Sequence, residues 1–262
     1  MNELRNKAKD LLTNGEVDLF IGYGAGTRVP RPYFVSSAEE TDTLIFDEQC
    51  TGNLAVYLTR KDLTKGKKVG IAASYYALKS IAQLFAENQL NKDILRIVGL
   101  SADGALIEFN GVESIEQYLK ETPPPLKQTD DELIEKINAL SLDERWEFWT
   151  AELSKCFKCY ACRAACPMCY CSKCIVEVNR PQWIQPWAST LSNMEWQINR
   201  VMHIAGRCSD CGSCGIACPL GIPVHLLAHQ MAGAVKANFN EPTENGNVLS
   251  MFKPDDKENF IL

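Results

Sequence analysis

Two copies of one cysteine pattern constrain this chain more than any other feature. Each copy has three cysteines separated by two residues, then a fourth after three more residues, and then a proline. The first copy contains Cys156, Cys159, Cys162 and Cys166, and the second contains Cys208, Cys211, Cys214 and Cys218. This CxxCxxCxxxCP spacing is typical of chains that bind two 4Fe-4S clusters, in which the fourth cysteine of each copy ligates the other cluster.

The spacing therefore predicts two 4Fe-4S clusters with exchanged fourth ligands. The first predicted ligand set is Cys156, Cys159, Cys162 and Cys218, and the second is Cys208, Cys211, Cys214 and Cys166. Two structural zinc sites are the competing interpretation, because CxxC pairs also bind zinc. Two complete copies, each with its proline, favour clusters.

Two glycines of the second copy are candidate cofactor-binding residues. Gly212 and Gly215 are predicted to let the backbone turn tightly and to bring its N–H groups near cluster sulfides. Simple turn chemistry would need the same glycines, so both interpretations stay open.

Four of the twelve cysteines remain after two clusters are assigned. They are Cys50, Cys169, Cys171 and Cys174. Three hypotheses compete for them: a third 4Fe-4S cluster completed by Cys50, a zinc site with the same four ligands, or a triplet and a buried lone thiol without metal. Assays of iron, acid-labile sulfide and zinc would distinguish the three.

Charge narrows the classes of partner. The formal net charge of -6 and the pI near 5.3 argue against nucleic acid as the main partner, because phosphate contacts need a basic surface. The segment from Cys156 to Val235, however, contains six Lys or Arg residues and only three acidic residues. Such local positive charge either helps to set the potential of an anionic cluster or is chance variation.

The chain carries no signal for export or for membrane insertion. The start lacks the apolar core and cleavage site of a secretory signal, and no apolar run reaches the roughly 20 residues that span a bilayer. We therefore expect a cytoplasmic protein without a membrane span.

Periodicity predicts an α+β chain with a separate domain at each end. Residues 1–120 are predicted to form an α/β domain, with β-rich runs VDLFIGYG, PYFVS, DTLIF, KKVGIAAS and ILRIVGL and the helix YALKSIAQLFAENQL. GYGAG is predicted to be a loop and not a dinucleotide site, because prolines and a strand follow it. The prolines of 121–131 predict a linker.

The rest of the chain is predicted to be helical. Residues 132–239 are assigned to a dicluster domain, and 240–262 to an extended tail that either docks on a neighbouring subunit or frays. Three capped helix starts are predicted, at Thr129 with Glu132, at Ser141 with Glu144 and at Ser192 with Glu195.

The histidines and tryptophans of this half are not predicted to be catalytic. His225 and His229 are one helical turn apart and are predicted to lie on a solvated face, because no glutamate base stands between them. The five tryptophans, all between residues 146 and 196, would shield clusters, meet a partner or pack in the core.

The segment HIAGRCSDCGSCGIACPLGIPV resembles the second cluster motif of helical ferredoxin domains in heterodisulfide reductase small subunits. The resemblance extends from about Cys156 to Phe239 and implies an α-helical ferredoxin fold. It also implies a subunit that passes electrons between catalytic partners and carries out no substrate chemistry itself.

The N-terminal domain is similar to the beta-subunit family of deazaflavin-coenzyme hydrogenases and formate dehydrogenases. The runs that carry this likeness are CTGNLAVYL, KVGIAA, FAENQL and ILRIVGL. Where that family has a Lys-Gly-Cys-Asp element and a later cysteine, this chain has Ser74 to Ala77 and Ser101 to Gly104. Flavin binding and an N-terminal cluster therefore do not carry over, and we expect a docking or scaffold module.

The sequence as a whole predicts an iron-sulfur electron-transfer subunit that is not an enzyme on its own. Its expected place is a cytoplasmic anaerobic complex with partners of the heterodisulfide-reductase-like, hydrogenase, formate dehydrogenase or folate-linked reductase class. The alternative is a reductase in its own right with flavin in the N-terminal domain. A zinc-bound structural adaptor is a third class.

Overall fold

The structure, a computed structural model, describes residues 2–27, 29–100, 105–125, 128–178 and 180–239. The predicted tail, 240–262, and the segment from Ser101 to Gly104 lie outside the described residues. No described helix is both long and apolar enough to cross a bilayer.

A mixed six-stranded sheet forms the N-terminal region. Its strands are β1 (Leu19–Gly24), β2 (Arg31–Val35), β3 (Leu44–Ile45), β4 (Val69–Ala73), β5 (Leu95–Leu100) and β6 (Leu106–Phe109). The strand order is β2-β1-β4-β5-β6, with β3 also paired to β1. β1, β4 and β5 are parallel, and β2, β3 and β6 pair antiparallel. All five predicted runs contain a strand, and β6 was not predicted. The prediction that GYGAG is a loop is wrong for residues 22–24, which end β1, and holds for Ala25 and Gly26.

Helices cover both faces of this sheet. They are α1 (Asn2–Thr13), α2 (Lys61–Thr64), α3 (Tyr75–Ala86) and α4 (Val112–Glu121), with 3-10 turns at Ala38–Thr43, Leu54–Tyr57 and Lys92–Ile94. α1 packs on one face through Leu4 and Leu11, and α3 packs on the other through Leu78 and Ile81. β4 is buried along its whole length, as expected of a central parallel strand.

The C-terminal half is helical, which confirms the predicted α+β architecture. Its helices are α5 (Gln128–Ala139), α6 (Leu142–Ser154), α7 (Ala161–Ala164), α8 (Thr190–His203), α9 (Ser213–Ile216) and α10 (Val224–Phe239). α8 packs against both α6 and α10. Leu153, Met194, Trp196 and Ile222 form the centre of this core, together with cysteines of both copies.

Two of the three predicted helix starts are wrong. The Ser141–Glu144 capping box at α6 is confirmed. α8 is instead capped by Ser189, whose side chain accepts from the Ser192 N–H, so Ser192 lies inside the helix. α5 begins at Gln128, which places Thr129 inside the helix as well. In both errors a serine or threonine just inside the first turn had the same local spacing as a cap.

Candidate iron-sulfur site

The two cysteine segments, 156–167 and 208–219, adopt the same unusual backbone turn. Lys158 and Asp210, each before the second cysteine, have φ angles of 57° and 59°. Tyr160 and Gly212, each after that cysteine, have φ angles of 59° and 74°. A left-handed conformation costs a non-glycine residue roughly 1–2 kcal/mol, so the surroundings must hold three of these four residues in place. The segments are therefore structural repeats of one another.

Each turn directs a backbone N–H at the first thiol of its segment. Lys158 N donates to Cys156 Sγ at 3.3 Å, and Asp210 N donates to Cys208 Sγ at 3.4 Å. Hydrogen bonds of this kind favour the thiolate, which is the form that binds metal. The short helices α7 and α9 follow the two turns and contact each other, which brings the segments together.

Cys156 lies beside the other three predicted ligands of the first cluster. Its electrostatic neighbours among the thiols are Cys162, Cys159 and Cys218. Burial raises the pKa of Cys156 most, its N–H partner lowers it, and the three thiols raise it further. The fourth cysteine of the second segment therefore lies with the first segment; we call these four cysteines the first thiol group.

The second thiol group shows the reciprocal arrangement. Burial raises the pKa of Cys208 to about 12, with further contributions from Cys211 and Cys214. Cys166, the fourth cysteine of the first segment, is buried and has Cys208 among its electrostatic neighbours. None of the twelve cysteines, all of which lie in the described residues, is in a disulfide.

Arg200 of α8 places a buried guanidinium between the two thiol groups. The residue is 3% exposed, and its Nε donates to Gln197 Oε1 at 3.1 Å. Its Nη1 and Nη2 are buried and have no nitrogen or oxygen partner among the described residues, and the guanidinium lies within hydrogen-bonding reach of the Cys169 and Cys214 thiols. Burial lowers the pKa of Arg200, but the nearby thiols of Cys214, Cys162 and Cys166 outweigh burial and leave the pKa above the ordinary value for arginine. A buried cation without an anionic partner is costly, so this arrangement fits a site that holds anions.

Clusters fit these thiol groups better than single ions do. Across the described ranges, no three His, Cys, Asp or Glu side chains are grouped so that they could hold one metal ion. A zinc ion draws its thiolates to about 2.3 Å, whereas a cubane spreads four thiolates over four iron corners. A tetrathiolate cluster is also a net anion, which would compensate Arg200.

Two buried amides of α8 hold the first segment. Gln197 Nε2 donates to Cys162 Sγ at 3.7 Å. Asn193 Nδ2 donates to Leu153 O at 3.0 Å and to Cys156 O at 2.7 Å, which fixes the end of α6 where the segment begins. Sequence analysis missed both residues, and the only signal was polar residues on an otherwise apolar helix face.

The second segment packs on the sheet domain through a buried polar network. Ser80 of α3 and Ser209 are hydrogen-bonded through their hydroxyls at 2.7 Å. Asn53 N donates to Ser213 Oγ at 3.1 Å, and Asn53 Nδ2 donates to Ser80 Oγ at 2.8 Å. Since all four residues are buried, these bonds fix the second segment against the N-terminal region.

An ion pair strengthens the same junction. Arg207 donates to both carboxylate oxygens of Glu87, at 2.7 and 2.6 Å. Tyr170 donates to Glu87 Oε2 at 2.7 Å, and the guanidinium carbon of Arg207 lies 5.3 Å from the centre of the Tyr170 ring. Burial raises the pKa of Glu87, but the bonds from Arg207 and Tyr170 outweigh it and leave that pKa lowered.

The four surplus cysteines lie in different surroundings. Cys169 packs beside the second thiol group and Cys174 beside the first, while Cys171 is exposed. Cys50 lies in the core between the sheet and α3, with its Sγ 3.6 Å from Asp47 Oδ1. The described structure does not group these four around one ion, and a third metal site stays a prediction.

Gly215 has a packing role that the sequence did not reveal. A Cβ at Gly215 would lie 2.0 Å from His225 Nδ1, so only glycine leaves room for this ring. His225 Nε2 is 3.0 Å from Asp130 Oδ1, and His229 Nδ1 is 2.9 Å from Asp210 Oδ1. The prediction of a solvated face is therefore wrong for His225, whose side chain is 19% exposed, and agrees with His229, whose side chain is 40% exposed.

The first segment is exposed at Phe157 and Cys159, whereas the equivalent residues of the second segment are the buried Ser209 and the half-buried Cys211. Phe157 is 57% exposed. Lys158 Nζ donates to Gln185 O and so ties the loop around Gln185 to this segment. Trp149 and Trp196 pack in the core, which was one of the predicted roles, whereas Trp146, Trp183 and Trp187 are exposed.

A cavity of about 720 Å³ lies between the N-terminal region and the cysteine-rich half. Arg60, Lys61 and Ile94 line it on one side, and Cys166 and Tyr170 on the other. This volume is within the usual range for small-molecule sites.

Comparison with known proteins agrees with this geometry. Residues 152–222 match the 4Fe-4S dicluster domain. Over 103 residues the chain is also 34% identical to the "F420-dependent formate dehydrogenase subunit beta" of Methanocaldococcus jannaschii. That similarity covers 38% of this chain and 26% of the relative, so the chain spans only about a quarter of the relative's length. The dicluster match supports the two predicted 4Fe-4S clusters and a role in electron transfer.

Proposed function

We propose that this chain is an electron-transfer subunit that relays electrons between catalytic or flavin-containing partners of a multi-subunit oxidoreductase complex. The observation that carries the proposal is the pair of repeated cysteine turns, each of which has its fourth cysteine in the other thiol group. When bound, 4Fe-4S clusters would supply one-electron transfer.

The chain's own residues have distinct tasks in this proposal. The first thiol group would ligate one cluster and the second thiol group the other. The N–H groups of Lys158 and Asp210 stabilise negative charge on Cys156 and Cys208. Gly212 allows the second turn, and the apolar core around Trp196 packs against Cys156, Cys162 and Cys218 of the first group.

The two segments would serve different neighbours. Asn53 and Ser80 cover the second segment, whereas Phe157 and Cys159 of the first are exposed. A redox partner could therefore approach the first segment closely without any rearrangement of the sheet domain. We propose electron exchange with a partner at this exposed side.

The formate dehydrogenase relative supports a multi-subunit redox complex as the setting. Partners of the heterodisulfide-reductase-like, hydrogenase or folate-linked reductase class would use the same one-electron relay. We propose that the chain performs no substrate chemistry by itself. Twelve unpaired cysteines are consistent with a reducing, cytoplasmic and anaerobic setting.

Anaerobic purification of the full chain tests this proposal. From the two clusters we expect about eight irons and about eight acid-labile sulfides per chain, with an EPR signal on reduction, whereas about twelve of each would indicate that the surplus cysteines hold a third cluster. Cys211→Ser should lose the iron of one of the two clusters, whereas the matched variant Cys171→Ser should keep both of them. A wild-type protein that contains zinc but no sulfide would contradict the proposal and favour the structural adaptor.

The cavity favours a second candidate, a reductase with flavin bound at the N-terminal region. Arg60 and Lys61 could contact phosphate, and Cys166 places the second thiol group at the cavity wall. A visible spectrum of the purified chain, recorded after cluster bleaching and protein removal, decides between the two. Free flavin in that extract supports the reductase, and its absence supports the relay.

A further inference from the structure

Arg200 differs from the other arginines near the cysteine segments in what neutralises it. Arg207 is paired with Glu87, and Arg163 is paired with Glu177. Among the described residues Arg200 has no carboxylate partner: its Nε donates to the neutral Gln197, and its buried terminal nitrogens lie beside the thiols of Cys169 and Cys214. The groups that could neutralise its positive charge are therefore the surrounding thiols in their thiolate form.

Gln197 fixes the direction of this charge. The buried amide accepts from Arg200 Nε at 3.1 Å and donates to Cys162 Sγ at 3.7 Å. The guanidinium is thus held on the side of α8 that faces the thiols, with Cys162 of the first group and Cys214 of the second among its neighbours. One cation is shared by both groups.

We infer that the Arg200 guanidinium sets the reduction potentials of both clusters together, an inference that rests on the proposed function. Adding an electron makes an anionic cluster more negative, and a nearby buried cation stabilises that charge strongly because the local dielectric is low. A cation between two anionic sites also screens their mutual repulsion. The added electron on one cluster therefore disfavours reduction of the other cluster less than it would without Arg200. Arg200 is a positioning residue for charge and ligates nothing.

Redox titration of the anaerobically purified full chain, followed by EPR, tests the inference. Arg200→Gln should make the reduction of both clusters at least tenfold less favourable, a shift of about 59 mV to more negative midpoint potential for a one-electron step. Arg200→Lys retains the charge and should restore most of that shift. Arg96→Gln removes the same charge from strand β5, where the side chain is 42% exposed and paired with Glu16, and should leave both midpoints unchanged.

A second variant keeps the test decisive if Arg200→Gln does not assemble. Gln197→Glu retains the acceptor for Arg200 Nε and adds a carboxylate that neutralises the guanidinium, but it also removes the amide donor to Cys162 of the first group. Both midpoints should shift in the same direction as in Arg200→Gln, and the shift of the second cluster, which loses no donor, is the diagnostic one. Iron and sulfide contents equal to those of the wild type show that the shift is not due to loss of a cluster.

Three results would overturn the inference. The first is unchanged midpoints in an Arg200→Gln or Gln197→Glu protein with full iron content, and the second is a shift confined to one cluster. The third is an Arg200→Lys protein that shifts as far as Arg200→Gln, because that would indicate a role in packing. A wild-type chain without iron and sulfide would instead overturn the proposed function itself, which these three results leave intact.

Discussion

The two cysteine segments share their spacing and their backbone but not their surroundings. Both turn through left-handed residues at the same two positions, and each donates one N–H to its first thiol. The second segment is fixed to the sheet domain by Asn53, Ser80 and Glu87. The first is held by α8 and is exposed at Phe157.

This difference teaches that two segments with the same cysteine spacing and the same turn can have different neighbours. The segment that is bonded to the sheet domain has a fixed position, and the segment with an exposed cysteine is accessible to a partner. The predictions that follow alter one segment and use the equivalent place in the other as control.

The largest effect is expected at the junction of the second segment. Glu87→Ala removes the bidentate partner of Arg207 and leaves a half-buried guanidinium without its carboxylate. We expect the free energy of unfolding to fall by about 3 kcal/mol. Each kcal/mol should lower Tm by about 2–4 °C in a chain of this size. Anaerobic thermal unfolding measured by circular dichroism gives this value.

The control for that variant is the ion pair that precedes the first segment. Glu152→Ala breaks the pair with Lys155, whose side chain is 50% exposed. Solvent-exposed pairs contribute about 0.2–1 kcal/mol, so Tm should change little. Equal losses in the two variants would mean that the second segment is no more firmly docked than the first.

A smaller loss of stability is expected from a substitution of Gly215, which packs closely against the His225 ring. Gly215→Ala places a methyl group where only 2.0 Å is available and should cost about 2 kcal/mol, because overpacking forces the ring to move. The equivalent residue of the first segment is Arg163, which lines the cavity. Arg163→Ala breaks the ion pair with Glu177 but introduces no overpacking, and chemical denaturation under anaerobic conditions compares the two. A neutral Gly215→Ala would contradict the close packing.

The smallest effect is expected at the turns themselves. Gly212→Ala should cost about 1 kcal/mol, because a left-handed φ is strained for alanine. Tyr160→Gly at the equivalent position relieves the same strain but loses the edge contact with Trp196, so Tm should stay nearly constant. A stabilised Gly212→Ala protein would show that the turns are not equivalent.

The sequence could predict what depends on local spacing. The eight cysteines, the left-handed turn at Gly212 and the capping box at Ser141 follow from residues a few positions apart. The strands of the sheet follow from short apolar runs such as KKVGIAAS. The 4Fe-4S dicluster match agrees with the two predicted clusters.

Long-range contacts could not be predicted in this way. Glu87 and Arg207 are ordinary surface-type residues until the fold brings them together. Arg200 has the sequence context of a solvated helix residue, and only the packing of α8 shows that it is buried. Ser189 caps α8, although Ser192 with Glu195 matches the local spacing of a capping box better.

The exchange of fourth ligands is the central claim, and EPR of single Cys→Ser variants tests it most directly. The account predicts that Cys166→Ser and Cys211→Ser lose the same cluster signal, whereas Cys218→Ser and Cys159→Ser lose the other. Cys171→Ser should retain both signals. If Cys166→Ser instead lost the signal that Cys159→Ser loses, each segment would hold its own cluster and the account would be contradicted.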